Sequence, residues 1–208
     1  DYCPQDFDHS PLLVFYETTQ ACDLACQHCR ASAQPQCHPD ELTPDQSRQL
    51  VRELKQFPKP PMLILTGGDP LKRPDIFDLV RFAVDEGIQT AMTPSATPLL
   101  TADAIGRLKA AGLARLAVSL DGADPFTHDT FRGVEGSFRR TLEAIATAEA
   151  MELSVQVNTT VARHNVEQIE TIADLLDQKR IDLWSVFFLV PTGRAQAAYR
   201  LSAEECER

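Results

Sequence analysis

Cys22, Cys26 and Cys29 fall within eight residues of one another, spaced C-x3-C-x2-C. Three thiolates on one loop can hold three corners of an iron–sulfur cube and leave the fourth iron without a protein ligand. An open position of this kind distinguishes catalytic metal sites from closed structural ones. Ferredoxin spacings, by contrast, supply four thiolates. A structural zinc site built from Cys22, Cys26, Cys29 and either His28 or Cys37 is the main alternative. Zinc sites usually pair two short clusters across a longer loop, and here no second pair follows. An electron-transfer cluster would need a fourth thiolate, such as Cys37. Cys3, Cys37 and Cys206 stand at no ligand spacing and read as free thiols.

Composition narrows the setting. At 208 residues and 43% hydrophobic content, the chain can bury its own core without a disulfide framework. One domain over residues 1–208 is the expectation. The opening Asp1-Tyr2-Cys3-Pro4 has neither the basic segment nor the apolar run of a secretion signal, so a reducing cytoplasm is expected. A net charge of −10 without a long Lys/Arg run speaks against nucleic acid as partner. Apolar runs such as Pro61–Leu65 are too short to cross a bilayer, so no membrane partner is expected.

The elements that must position the thiols show an alternation. Apolar, β-rich runs lie at Leu12–Glu17, Met62–Thr66, Ile88–Met92, Leu113–Ser119, Leu153–Val161 and Leu183–Val190. Helical spacing fills the intervals, at Asp45–Phe57, Pro74–Glu86, Thr101–Ala111, Ser137–Met151 and Asn165–Lys179. Thr43-Pro44 is an N-cap followed by proline at the first helical position, and Gly87 and Gly112 stop the second and third helices. Strands alternating with helices of this length predict βαβ units and a parallel sheet, either doubly wound or part of a β/α barrel. Residues 201–208 read as the start of a further helix, as expected of a piece of a longer protein.

In both architectures ligands sit at the carboxyl ends of the strands. The unusual residues fall there: the cysteine loop, Thr66-Gly67-Gly68-Asp69-Pro70, Thr93-Pro94-Ser95-Ala96, Ser119-Leu120-Asp121-Gly122, Asn158-Thr159-Thr160 and Pro191-Thr192-Gly193-Arg194. Any one alone would pass for a solvated turn, but six on one rim predict a shared ligand site. The glycine pair lets backbone come close to a ligand. Asp69 could accept from an ammonium group, and Asp121 and Asn158 suit ribose hydroxyls or an amino acid. Arg163 and Arg194 could each clamp a carboxylate or form surface ion pairs.

Together these residues resemble the radical S-adenosylmethionine superfamily, whose core is a six-unit partial β/α barrel, and the likeness spans essentially the whole chain. It implies that Cys22, Cys26 and Cys29 ligate a [4Fe–4S] cluster, and that His28 stands near the adenine of S-adenosylmethionine. Gly67, Gly68 and Asp69 would meet the methionyl amino group. Ser119, Asp121 and Asn158 would line the carboxylate and ribose side, and Val190 to Gly193 would contact the adenine. The family usually has Glu where this chain has Asp69, so that contact is expected to be longer or water-mediated.

The implied chemistry is reductive cleavage of S-adenosylmethionine to a 5′-deoxyadenosyl radical, which takes hydrogen from a substrate. No side chain is assigned as general base. A flavodoxin or ferredoxin would donate the electron. Cys26-Gln27-His28-Cys29-Arg30-Ala31-Ser32-Ala33, Ile64–Leu71 and Phe188–Arg194 are similar to a clade of haem-forming decarboxylases, haem d1 enzymes and peptide-modifying enzymes with a C-terminal SPASM extension. A porphyrin or a peptide is therefore the expected substrate, and that extension would lie beyond Arg208. Phe131-Arg132-Gly133 is expected on a loop that faces the substrate or simply connects elements.

Overall fold

The computed structural model describes residues 7–207, so Cys3 lies outside the described residues. Six strands carry the fold: β1 Leu13–Thr19, β2 Met62–Gly67, β3 Thr90–Met92, β4 Arg115–Ser119, β5 Val155–Val161 and β6 Leu183–Phe188. All five neighbouring pairs are parallel, and the sheet runs β1-β2-β3-β4-β5-β6. A doubly wound sheet reverses its strand order at a switch point. This one never reverses, so every crossover winds the same way, as in a β/α barrel. The barrel is partial, with β1 and β6 as the two ends of the strand order.

The crossovers carry helices α1 Pro44–Leu54, α2 Ile76–Asp85, α3 Ala102–Ala110, α4 Pro125–Arg132, α5 Ser137–Ala150 and α6 Ile169–Asp177, with α7 Ala203–Glu207 after β6. Thr43 caps α1 reciprocally with Gln46, as its Ser/Thr-x-x-Gln pattern predicts. The expected helix over 165–179 begins instead as a 3-10 turn, Val166–Gln168, before α6. Helix α4 was not anticipated. Asp124-Pro125 and Gly133 nevertheless carry the same cap-proline start and glycine stop that marked α1 and α2.

β5 shows how one strand serves two layers. Val155, Val157, Thr159 and Val161 are buried, while Gln156, Asn158 and Thr160 are half-exposed. Val155 and Val157 join Leu63, Leu65, Leu116 and Val118 beneath the helices, where Ile105, Ile145 and Ile172 complete the main core. The alternate residues turn to the concave side and converge at the carboxyl ends of the strands.

Candidate functional site

The cysteine loop follows β1 and is clamped from two sides. The end of α4 holds it through backbone: the Ala25 and Gln27 N–H groups donate to the Arg132 and Phe131 carbonyls at 3.1 and 2.9 Å. The segment after β6 holds the other side through Arg194. Its backbone N–H donates to the Cys29 carbonyl at 3.0 Å, and its guanidinium donates to the Cys26 and Ala33 carbonyls at 3.0 and 2.8 Å. Gly193 packs so closely that a Cβ there would lie 2.3 Å from the Cys29 carbonyl oxygen.

Cys22 and Cys26 are buried and Cys29 is half-buried, and all three line one cavity of about 290 Å³. Each sulfur has a polar neighbour: the Ser95 hydroxyl 3.3 Å from Cys22, the Arg132 guanidinium 3.8 Å from Cys26, and the Ala33 N–H 3.3 Å from Cys29. Burial pushes the Cys22 thiol up, against the lowering contacts of Ser95 and the Leu24 N–H.

The opposite walls come from the other strand ends. Thr66, Gly67 and Gly68 follow β2, Thr93 and Ser95 follow β3, and Ser119 closes β4. Asn158 lies directly across from Ser119 in the sheet, and Thr160 across from Phe187. Ser137 and Thr141 look in from the first turns of α5. Of the residues expected at a ligand site, Cys22, Cys26, Cys29, His28, Gly67, Gly68, Ser119 and Asn158 are brought together here. Within the expected rim segment 158–160 the two-residue period turns Thr160 to the same face as Asn158 and Thr159 away from it, whereas Ser137 and Thr141 lay outside every segment expected at the site.

Four expected residues are not on the wall. Asp69 is fully buried, and its carboxylate accepts from the Leu71 and Ser95 N–H groups and, at 2.8 Å, from the Thr97 hydroxyl. Burial pushes its pKa up, with these bonds opposing. Asp121 is also fully buried; it pairs with the Arg132 guanidinium and accepts from the Thr160 N–H at 2.7 Å. Burial is the largest influence and would raise this carboxyl, but the Arg132 charge, together with His28, His128 and the Thr160 N–H, brings the pKa below the usual range. Val190 is 65% exposed, and Gly193 is occupied against the cysteine loop.

The glycine pair also has a different partner from the one expected. Gly67 sits at φ +127°, and Cβ atoms on Gly67 and Gly68 would lie 2.4 Å from the Thr19 and Ala21 carbonyls. The close approach is to the cysteine loop's own root. Arg194 braces that loop and pairs with no carboxylate among the described residues, whereas Arg163 does pair with Glu205 at 3.3 Å.

Phe131 and Arg132 lie in the last turn of α4 and not on a loop, and Arg132 lines the cavity. Phe131 is 1% exposed, and its ring lies between those of His28 and His164, with centroids 4.0 and 3.9 Å away. Burial, and then the Arg132 charge, lowers the His28 pKa to about 3, so the ring is neutral near pH 7. His128, which is fully buried, accepts from the Asp121 N–H through Nδ1 at 3.0 Å and shares a hydrogen bond with Ser137. Its pKa falls to about 4, chiefly by burial and then by the Arg132 charge.

Three thiols, soft donors suited to iron–sulfur chemistry, thus face a recess at the end of a parallel sheet. His28 Nδ1 and Arg194 Nη2, both on residues lining that recess, are buried without a hydrogen-bond partner. Free polar atoms, free sulfurs and an open wall of hydroxyls fit a cluster together with a polar ligand. Among the described residues no three His, Cys, Asp or Glu side chains are placed to hold a single metal ion.

The sequence model of the Radical SAM superfamily matches residues 16–176. An AdoMet-dependent heme synthase of Methanosarcina barkeri is 40% identical over 96% of this chain and 57% of its own length. One of Nitratidesulfovibrio vulgaris is 38% identical over 90% of this chain and 51% of its own. A PqqA peptide cyclase of Bradyrhizobium diazoefficiens is 30% identical over 85% and 47%. The chain spans about half the length of the curated relatives it matches. In fold it is similar to Streptococcus suis SuiB bound to S-adenosylmethionine, with TM-score 0.78 at 18% identity over 93% of this chain and 44% of that one.

Proposed function

The chain belongs to the radical SAM superfamily, and from that premise we propose that it is the core domain, residues 1–208, of an enzyme that binds a [4Fe–4S] cluster through Cys22, Cys26 and Cys29. The observation that carries this reading is the single cavity shared by the three thiols and the five other strand ends. When bound, the cluster supplies the electron that cleaves S-adenosylmethionine, and the 5′-deoxyadenosyl radical so formed removes hydrogen from the substrate.

The chain's own residues bind and orient. The Gly67–Gly68 main chain and the Ser119 and Asn158 side chains offer polar contacts for the methionyl and ribose groups. The His28 ring, fixed by its stack on Phe131, meets the adenine side, and Arg194 Nη2 offers a free N–H. Asp69 acts from behind, holding the segment with Ser95 and Thr97 in place. Asp121 likewise holds Arg132.

The substrate we propose is a tetrapyrrole with carboxylate side chains; after hydrogen removal the carbon–carboxyl bond breaks, carbon dioxide leaves, a vinyl group forms and the one remaining electron passes to an external one-electron acceptor. The relatives named for haem are 40% and 38% identical, against 30% for the peptide cyclase, which supports the porphyrin over the peptide. The proposed electron donor is a flavodoxin or ferredoxin, and the proposed compartment is the cytoplasm. Among the described residues no helix is long and apolar enough to cross a membrane.

The test is anaerobic reconstitution with iron and sulfide, then dithionite and S-adenosylmethionine. The expected result is a brown protein that releases 5′-deoxyadenosine, and, with an iron porphyrin bearing propionates, a product of lower mass by loss of carboxyl groups. A colourless protein with stoichiometric zinc would instead identify a non-catalytic binding module. Turnover of a peptide and not of the porphyrin would move the substrate class.

A further inference from the structure

Among the donors that the described residues direct at the three sulfurs, only the one on Cys26 carries a charge: Arg132 Nη1, 3.8 Å from Sγ. The same guanidinium reaches the Asp121 carboxylate through Nη2, with side-chain exposures of 12% for Arg132 and 0% for Asp121. Asp121 is fixed in turn by the Thr160 N–H at 2.7 Å, and the Arg132 carbonyl by the Ala25 N–H at 3.1 Å. Arg132 is therefore anchored at its backbone carbonyl and at Nη2, with Nη1 on the sulfur and Nε buried without a hydrogen-bond partner.

We propose that Arg132, held by Asp121 and directed onto Cys26 Sγ, is a positioning residue that sets the reduction potential of the cluster. This rests on the reading that Cys22, Cys26 and Cys29 hold such a cluster. The step concerned is transfer of one electron from an external reductant to the cluster, and no bond forms or breaks in the protein. Reduction adds negative charge, and a cationic N–H donor at a ligating sulfur stabilises the more negative state. Hydrogen bonds to sulfur and net local charge are the protein's levers on such potentials. Asp121 works in the opposite sense and limits the effect. The pair thus makes two predictions of opposite sign, which a merely structural brace would not.

The experiment reconstitutes the full chain and its variants anaerobically, assays iron and sulfide, and follows reduction by dithionite with electron paramagnetic resonance against potential. Arg132→Met is expected to lower the reduced-to-oxidised ratio at a fixed potential about tenfold, a midpoint lower by about 59 mV for one electron. Asp121→Asn, which leaves the guanidinium uncompensated, is expected to shift the midpoint upward. Arg132→Lys, keeping the charge, is expected to recover most of the loss. A wild-type midpoint in loaded Arg132→Met or Asp121→Asn overturns the proposal. Loss of iron uptake in both assigns the pair a structural role and overturns it equally. A wild-type protein that takes up no iron would overturn the cluster reading itself, and the proposal with it.

Discussion

At the scale of single residues, the site separates groups that face the cavity from groups that hold them there. Cys22, Cys26 and Cys29 face it, whereas Cys37 is exposed away from it. Alanine at any of the first three is therefore expected to abolish most iron binding and 5′-deoxyadenosine release, and Cys37→Ser to change neither. Iron and sulfide assays with product chromatography check both. The buried histidines give a second prediction. His128 titrates near 4 in the fold and near 6.5 when unfolded, so below pH 6.5 the unfolded chain binds the extra proton. Its contribution to stability is present above pH 6.5 and is lost as pH falls toward 4, at a slope approaching about 1.4 kcal/mol per pH unit. Urea unfolding of the metal-free protein at pH 7 and pH 5 should show this loss, and His128→Asn should reduce it.

At the scale of elements, the cysteine loop has no regular structure of its own and takes its shape from α4 and the segment after β6. Arg194→Met removes two guanidinium bonds to loop carbonyls while keeping the backbone bond to Cys29. At about 1–3 kcal/mol for a buried acceptor left unpaired, the loop should loosen while the barrel stays folded. Hydrogen exchange over residues 26–33 should quicken and iron uptake should slow, with the overall unfolding transition nearly unchanged. Gly133 tests the other clamp. It ends α4 at φ +71°, and a Cβ there would lie 2.6 Å from the Ala25 carbonyl oxygen. Gly133→Ala is expected to lose about 1–2 kcal/mol from the left-handed backbone alone, plus the clash, with a lowered unfolding midpoint and reduced cluster loading. The signals for α4, Asp124-Pro125 and Gly133, were legible. What hid it was its eight-residue length and its place beside another helix in one crossover, where a β/α alternation leads one to expect a single helix.

At the scale of the whole molecule, a ligand that bridges several strand ends should stabilise the barrel as a unit. S-adenosylmethionine at one hundred times its dissociation constant is expected to add about 2.7 kcal/mol to the cluster-loaded protein. Ser119→Ala combined with Asn158→Ala should remove much of that gain, read as the thermal shift with and without the ligand. The sequence by itself determined the six strands, the parallel sheet and the rim that carries the polar residues, because hydrophobic period and helix punctuation are local properties of the chain. It also determined the three thiols, whose spacing is a property of one loop. It left open whether the sheet was doubly wound or barrel-like, which depends on the direction in which successive crossovers wind. Only the tertiary structure decided which polar residues face the cavity and which support it. Asp69 and Asp121 carry the chemistry of ligand contacts, yet both are wholly buried and spent on partners that include groups 26 to 39 residues away in the chain. A carboxylate's type is written in the sequence; whether its oxygens are already satisfied depends on groups that only the closed fold brings beside it.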